Sequence, residues 1–141
     1  MNRLLVFLFT LLVLGCGTSY AKDEPLKEDV ADDASYFGGK KVLVAYFSWG
    51  GTTQRMAAQI QEITGGDIFR IEPVVPYPIE YTPCTEVTRE EKDNNARPEI
   101  KDKVQNWEDY DIIFIGCPVW WWTTPMIIHT FCESYDFTGK T

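Results

Sequence analysis

The chain has 141 residues, 21 of them acidic, 13 basic and one histidine, for a formal net charge of −8. That length suits one domain, and the acidic balance excludes the basic surface that nucleic-acid binding requires. Four cysteines, none in C-x-x-C spacing, and a single histidine provide no zinc motif and no Cys–His nucleophile pair.

The chain opens with features of export. Met1-Asn2-Arg3 is a short positive start, and residues 4–14 form an apolar run. That run is too short to span a bilayer and matches the central region of a signal peptide. Two cleavage readings compete. Val13-Leu14-Gly15-Cys16 has the form of a bacterial lipobox, which ends the signal at residue 16 and makes Cys16 a lipidated N-terminus. Ser19-Tyr20-Ala21 suits ordinary cleavage, with the signal running to residue 21. A cysteine directly after an apolar run and a glycine favours the first. The expected location is the periplasmic or outer-surface side, with the membrane held through a lipid on Cys16. Residues 17–40 carry Asp23, Glu24, Glu28, Asp29, Asp32 and Asp33 with few apolar neighbours. Such a composition buries too little surface to fold and reads as a disordered acidic tether.

Residues 42–47 are uncharged, largely β-branched or aromatic, and read as a strand buried on both faces. The segment Ser48-Trp49-Gly50-Gly51-Thr52-Thr53 follows, and then a helical pattern with Met56, Ala57, Ile60 and Ile63 on one face, closing at Gly65-Gly66. A strand, a short Gly/Ser/Thr loop and a helix turn backbone N–H groups and the positive end of the helix dipole toward an anion. No lysine or arginine lies between Ser48 and Thr53, so the loop reads as a neutral phosphate cradle. The competing reading is an ordinary turn with Gly and Thr as turn and cap residues. Two other phosphate loops are excluded. Gly139-Lys140-Thr141 lacks the glycine a nucleoside-triphosphate loop needs, since Ser134 occupies that position. The Gly50-Gly51 pair has the wrong spacing for a dinucleotide fingerprint.

Residues 67–72 place Phe69 and Ile71 on one side of the chain, as in an edge strand. Residues 73–83 hold four prolines and read as an irregular, aromatic-rich connection. Residues 86–94 suit a helix, with Glu90-Glu91 on a solvated surface. The Cys84 to Arg89 spacing is one residue too short for a phosphotyrosine-phosphatase loop. Pro98-Glu99 opens a short helical segment that carries Val104 and Trp107 toward the core. Residues 112–116 are an apolar run that reads as a central strand, ending in Cys117 as a core thiol.

Beyond that strand comes Cys117-Pro118-Val119-Trp120-Trp121-Trp122-Thr123-Thr124-Pro125. Three consecutive indoles cannot all face one side of a regular element. One is expected beneath the neighbouring helix, and the others are exposed or cover a flat conjugated ligand. Thr124 and Pro125 open a last helix with Ile127, Ile128, Phe131 and Cys132 inward and His129 in a surface or capping role. In an open parallel sheet the ligand lies beyond the carboxyl ends of the strands, where strand order reverses. The two loops together call for a ligand with a phosphate at one end and a flat aromatic system at the other.

At this point the chain resembles a known family. FSWGGTT is similar to the phosphate loop of flavodoxins, and YDIIFIGCPVWWWTTP with FCESYDFTGKT is similar to their third strand, flavin loop and next helix. YPIEY and ARPEI add to the likeness, which covers residues 41–141. The resemblance implies an α/β, flavodoxin-like, three-layer parallel sheet with strand order 2-1-3. It also implies flavin mononucleotide (FMN) as cofactor. Ser48, Gly51, Thr52 and Thr53, with Trp49 and Gly50 in the same loop, would hold the phosphate; Pro118, Val119, Trp120 and Trp121 would line the isoalloxazine ring. The implied function is electron transfer or a small flavin oxidoreductase, with a redox protein or a small-molecule acceptor as partner. No side chain demands a role as acid, base or nucleophile. Two departures stand out. Gly50 replaces the hydroxyl residue usual in the family, and the chain stops at Thr141, before the family's fourth and fifth strands. The alternatives are a cofactor-free exported interaction domain and an inactive truncated fragment.

Overall fold

The computed structural model describes residues 37–141. The signal peptide, Cys16 and nearly all of the expected tether lie outside the described residues. Strand β1 (Val42–Tyr46) is buried along its whole length. It pairs in parallel with β2 (Asp67–Arg70) on one side and β3 (Ile112–Gly116) on the other, giving the order β2-β1-β3. Helix α1 (Thr52–Thr64) follows β1, α2 (Tyr81–Asp93) follows β2 and α3 (Met126–Glu133) follows β3. The expected 2-1-3 sheet is therefore present.

Alternation along β1 divides the core in two. Val42, Val44 and Tyr46 pack with Ala57 of α1 on one face. Leu43, Ala45 and Phe47 pack with Ile71, Ile127, Ile128 and Phe131 on the other. There α3 lies against the sheet, and α2 packs beside α3. With a layer on each face, β1 meets no water, which is why it lacks any charge.

Several elements differ from the sequence expectation. On α1, Met56 and Ile63 are 59% and 58% exposed, and the inward positions are Thr53, Ala57, Ile60 and Thr64. Those four residues have helical spacing too, and the small Ala57 lets the helix lie close to β1. Helix α2 begins at Tyr81, earlier than residue 86, because Pro83 falls in the first turn, where its missing N–H costs nothing. The irregular connection thus ends at Glu80. No helix forms after Pro98. Instead Pro73 and Ile100 make an antiparallel bridge, and the helical turn between Pro98 and β3 is the short 3-10 turn Trp107–Asp109. Val104 and Trp107 do point inward, held by a hydrogen bond from the Val104 N–H to the Tyr135 hydroxyl (2.8 Å) and from the Trp107 indole to the Asp136 carbonyl (2.7 Å).

Strand β3, expected to be central, flanks β1. Among the described residues its outer edge is met by Thr141, whose carbonyl accepts from the Ile113 N–H (2.8 Å) and whose N–H donates to the Asp111 carbonyl (2.9 Å). Helix α3 starts at Met126, and Cys132 is exposed because Phe131 takes the adjacent inward position.

Candidate functional site

Both candidate loops leave the carboxyl end of the sheet from neighbouring strands. The first begins at Ser48, which is buried, and its hydroxyl accepts from the Gly51 N–H at 3.1 Å. Gly51 has φ 85°, a left-handed conformation that favours glycine, and sits at the start of α1. No side chain caps that helix. The first backbone N–H to return to the loop is that of Arg55, which donates to the Gly51 carbonyl at 3.1 Å. Among the described residues, the N–H groups of Thr52, Thr53 and Gln54 meet no acceptor. These are the unpaired donors that every helix start presents, together with the positive end of its dipole. A side-chain carbon added at Gly50 or Gly51 would meet nothing within 4 Å, so the space before the donors is open.

Gly116, the last residue of β3, ties this loop to the tryptophan loop. Its carbonyl accepts from the Phe47 N–H at 2.9 Å. A Cβ at Gly116 would lie 3.2 Å from the Thr53 methyl and 3.4 Å from Tyr46 Cβ. The start of α1 therefore packs closely against the end of β3, and a side chain at Gly116 would require Thr53 to shift by a few tenths of an ångström. Pro118, half-buried, and Val119, 76% exposed, continue from there.

The three indoles do different things. Trp120 packs edge-on against Phe47 and Tyr77, each at 5.2 Å between ring centroids. Trp121 lies under α2, its indole N–H donating to the Thr88 hydroxyl at 3.1 Å and the Arg89 guanidinium 4.4 Å above its ring. Trp122 is 98% exposed. Trp120 and Thr123 exchange two backbone hydrogen bonds of 2.9 Å, while Trp121 (φ 51°) and Trp122 (φ 64°) form the corner between them. Two consecutive left-handed residues are the mark of a type I′ turn, which normally takes Asn-Gly. With tryptophan the backbone is strained by about 1–3 kcal/mol per residue.

The expectation that one indole lies under the neighbouring helix thus holds for Trp121, beneath α2, and Trp120 is largely a packing residue. Trp122, not among the expected ring contacts, is the freest aromatic face of the loop. Its signal was its place as the last of the run, but the run alone has no period from which to tell the three apart. Trp49, from the first loop, donates its indole N–H to the Pro78 carbonyl at 2.9 Å. Its ring separates two cavities. One, of about 440 Å³, is bounded by the tryptophan loop and by Tyr81 and Cys84 of α2. The other, of about 660 Å³, lies toward β2.

Glu91, expected on a solvated surface, is half-buried and accepts from the Tyr77 hydroxyl at 2.9 Å. Burial pushes its carboxyl above the usual range, partly opposed by the Tyr77 bond. Burial and the Glu91 charge also push the Tyr77 phenol and the Cys84 thiol up. Cys117 is half-buried beside the core, and burial raises its thiol as well. His129 pairs with the Thr124 hydroxyl at 3.0 Å, in keeping with a role at the start of its helix.

The donor set fits a phosphate: open N–H groups, nearby hydroxyls, and a backbone free to approach. The adjoining loop supplies apolar and aromatic surface that fits a flat ring. Comparison with known proteins bears on the fold and the family. The flavodoxin family profile matches residues 41–141. The fold is similar to a candidate flavoprotein from Bacteroides eggerthii DSM 20697, with 40% identity, a TM-score of 0.64 and coverage of 72% of this chain and 66% of that one. A candidate flavoprotein from Bacteroides uniformis ATCC 8492 gives 38% identity and a TM-score of 0.63, covering 72% and 67%. A flavoprotein from Lactobacillus acidophilus NCFM, solved in complex with FMN, gives 28% identity and a TM-score of 0.62, covering 67% and 66%. The chain thus spans about two thirds of the length of these structures. Among curated proteins none matches it. From its sheet order, its two loops and this profile, the chain belongs to the flavodoxin family.

Proposed function

We propose that this protein binds FMN and works as an exported, membrane-tethered electron carrier or small flavin oxidoreductase. The observation that carries the reading is the contact of Thr53 with Gly116, which sets an uncapped helix start beside an aromatic loop. In this reading the N–H groups of Thr52 and Thr53, with the hydroxyls of Ser48, Thr52 and Thr53, hold the phosphate. Gly50 and Gly51 allow its close approach, and Trp49 borders the loop. The ring rests against Pro118 and Val119, with Trp120 and Trp121 as the supported wall and Trp122 as an added exposed face. Bound flavin supplies one- or two-electron chemistry, and the protein tunes it by stacking and hydrogen bonds. The electrons would pass to a redox protein or a small-molecule acceptor.

The test is the visible spectrum of the purified protein with and without added FMN. The reading expects protein-shifted flavin bands that bleach on reduction with dithionite. A protein that stays colourless at saturating FMN would reject it. The location rests on sequence features alone: the apolar run of residues 4–14 and the Leu14-Gly15-Cys16 junction. Lipidation of Cys16 predicts that Cys16→Ser abolishes processing at that site. A Ser variant processed to the same product as the parent would favour cleavage after Ala21.

The exposure of Val119 and Trp122 also suits a second reading, a cofactor-free domain that presents this loop to a partner protein. Normal partner binding by a protein that never takes up flavin would support it.

A further inference from the structure

The larger cavity, on the β2 side of Trp49, shares Ser48, Trp49 and Gly50 with the phosphate loop, while its other walls, from Arg70 to Ile79 and at Lys101, have no role in the flavin reading. Its volume of about 660 Å³ lies in the range of small-molecule sites. Its lining is mixed, and its aromatic part offers apolar surface for a specific reason. The Trp49 indole N–H is already taken by the Pro78 carbonyl, and the Tyr77 hydroxyl by Glu91. Both side chains therefore offer ring surface and no free polar atom, and Phe47 and Ile71 continue that surface inward.

The charge at its rim is unequal. Arg70, at the end of β2, and Lys101 share one carboxylate, Glu72, at 3.2 Å and 3.8 Å. Arg70 approaches Glu72 through Nε, and its side chain is 48% exposed. Lys101 comes from a distant part of the chain and is fixed there by backbone. Its N–H donates to the Glu72 carbonyl (2.8 Å), and the Val74 N–H donates to the Glu99 carbonyl (2.8 Å), on either side of the Pro73–Ile100 bridge. Two cations against one carboxylate, held at the mouth of an aromatic cleft in an acidic chain, leave one positive charge unmatched. A guanidinium fork suits a carboxylate in two-point contact.

We propose that this cavity is a second binding site, for a small, flat, apolar molecule carrying one carboxylate. Apolar surface enters between Trp49 and Tyr77, and the carboxylate meets Arg70 with Lys101 as support. The site does not require the flavin reading. Trp49 borders both cavities, so a ligand here would lie next to whatever the tryptophan loop holds.

The test is calorimetric titration of the full-length protein with 2-naphthoate and with its neutral isostere 2-naphthamide. Naphthoate should bind at least about tenfold more tightly than the amide, and more weakly as salt rises. Arg70→Gln should remove most of that preference and Lys101→Gln part of it, while Lys103→Gln, an exposed lysine outside the cavity, should leave it intact. Both target side chains are largely exposed, so the variants should fold. Saturating FMN should not displace naphthoate. Equal binding of acid and amide, no binding of either, or a preference unchanged in both variants would overturn the proposal. Displacement of naphthoate by FMN or by inorganic phosphate would also overturn it, by assigning the two cations to the phosphate loop.

Discussion

Trp120, Trp121 and Trp122 show how far neighbouring residues of one type can diverge. Trp120 is braced by Phe47 and Tyr77, so Trp120→Ala should leave a cavity and cost about 3 kcal/mol of stability in a denaturant titration. A loss below about 1 kcal/mol would mean that its ring belongs to the ligand and not to the core. That division was not legible in the sequence, because a turn has no period by which to sort inward from outward residues. Glu91 was misread for a related reason. Its helix carries charge on most faces, and nothing local reveals that Tyr77 reaches across to it from another segment. Burial raises its carboxyl, so the folded state holds the proton more tightly than the unfolded one. The resulting stabilisation is full below the ordinary glutamate value and is lost as pH rises through the raised folded value. Glu91→Gln should therefore flatten the decline of Tm with pH in the window that opens at the ordinary glutamate value. An identical slope in parent and variant would show that Glu91 titrates as a solvated group.

Helix α1 was legible as an element, and its face was not. The buried strand before it and Gly65 after it (φ 64°) mark its limits, but its inward positions include Thr53 and Thr64 while Met56 and Ile63 stand in solvent. Hydrophobic weight pulled the expected face away from the one that the small Ala57 actually allows. Close approach also governs the other end of this helix. A Cβ at Gly66 would lie 2.8 Å from the Val42 carbonyl oxygen and 2.9 Å from Val42 Cβ. Gly66→Ala should cost about 1–3 kcal/mol by forcing the chain off β1; an unchanged denaturation midpoint would contradict that packing. The tryptophan turn makes the opposite prediction. Trp122 has φ 64° and almost no contacts to lose, so Trp122→Gly should stabilise the protein by about 1 kcal/mol. If the exposed indole serves the ring, the same variant should hold FMN less tightly. Stabilisation with unchanged FMN affinity would remove Trp122 from the site.

At the scale of the molecule, sheet order and the position of the site were readable because they follow from a few general rules. A buried apolar strand, a Gly/Thr loop and a helix specify a parallel unit, and ligands gather where strand order reverses. The segment between Pro73 and Trp107 was harder. Its structure depends on long-range backbone pairing, such as Pro73 with Ile100, and on side chains held from distant segments, such as Trp107 by Asp136. The central claim is that the loop from Ser48 to Thr53 holds a phosphate on backbone N–H groups and hydroxyls without a cation in the loop. It is tested most directly by titrating the full-length protein with FMN and with riboflavin, which differ only in that phosphate. Charge-assisted donors predict that FMN binds more tightly by roughly 1.5–3 kcal/mol, at least about tenfold. Riboflavin binding as tightly as FMN, or no binding of either, would contradict it.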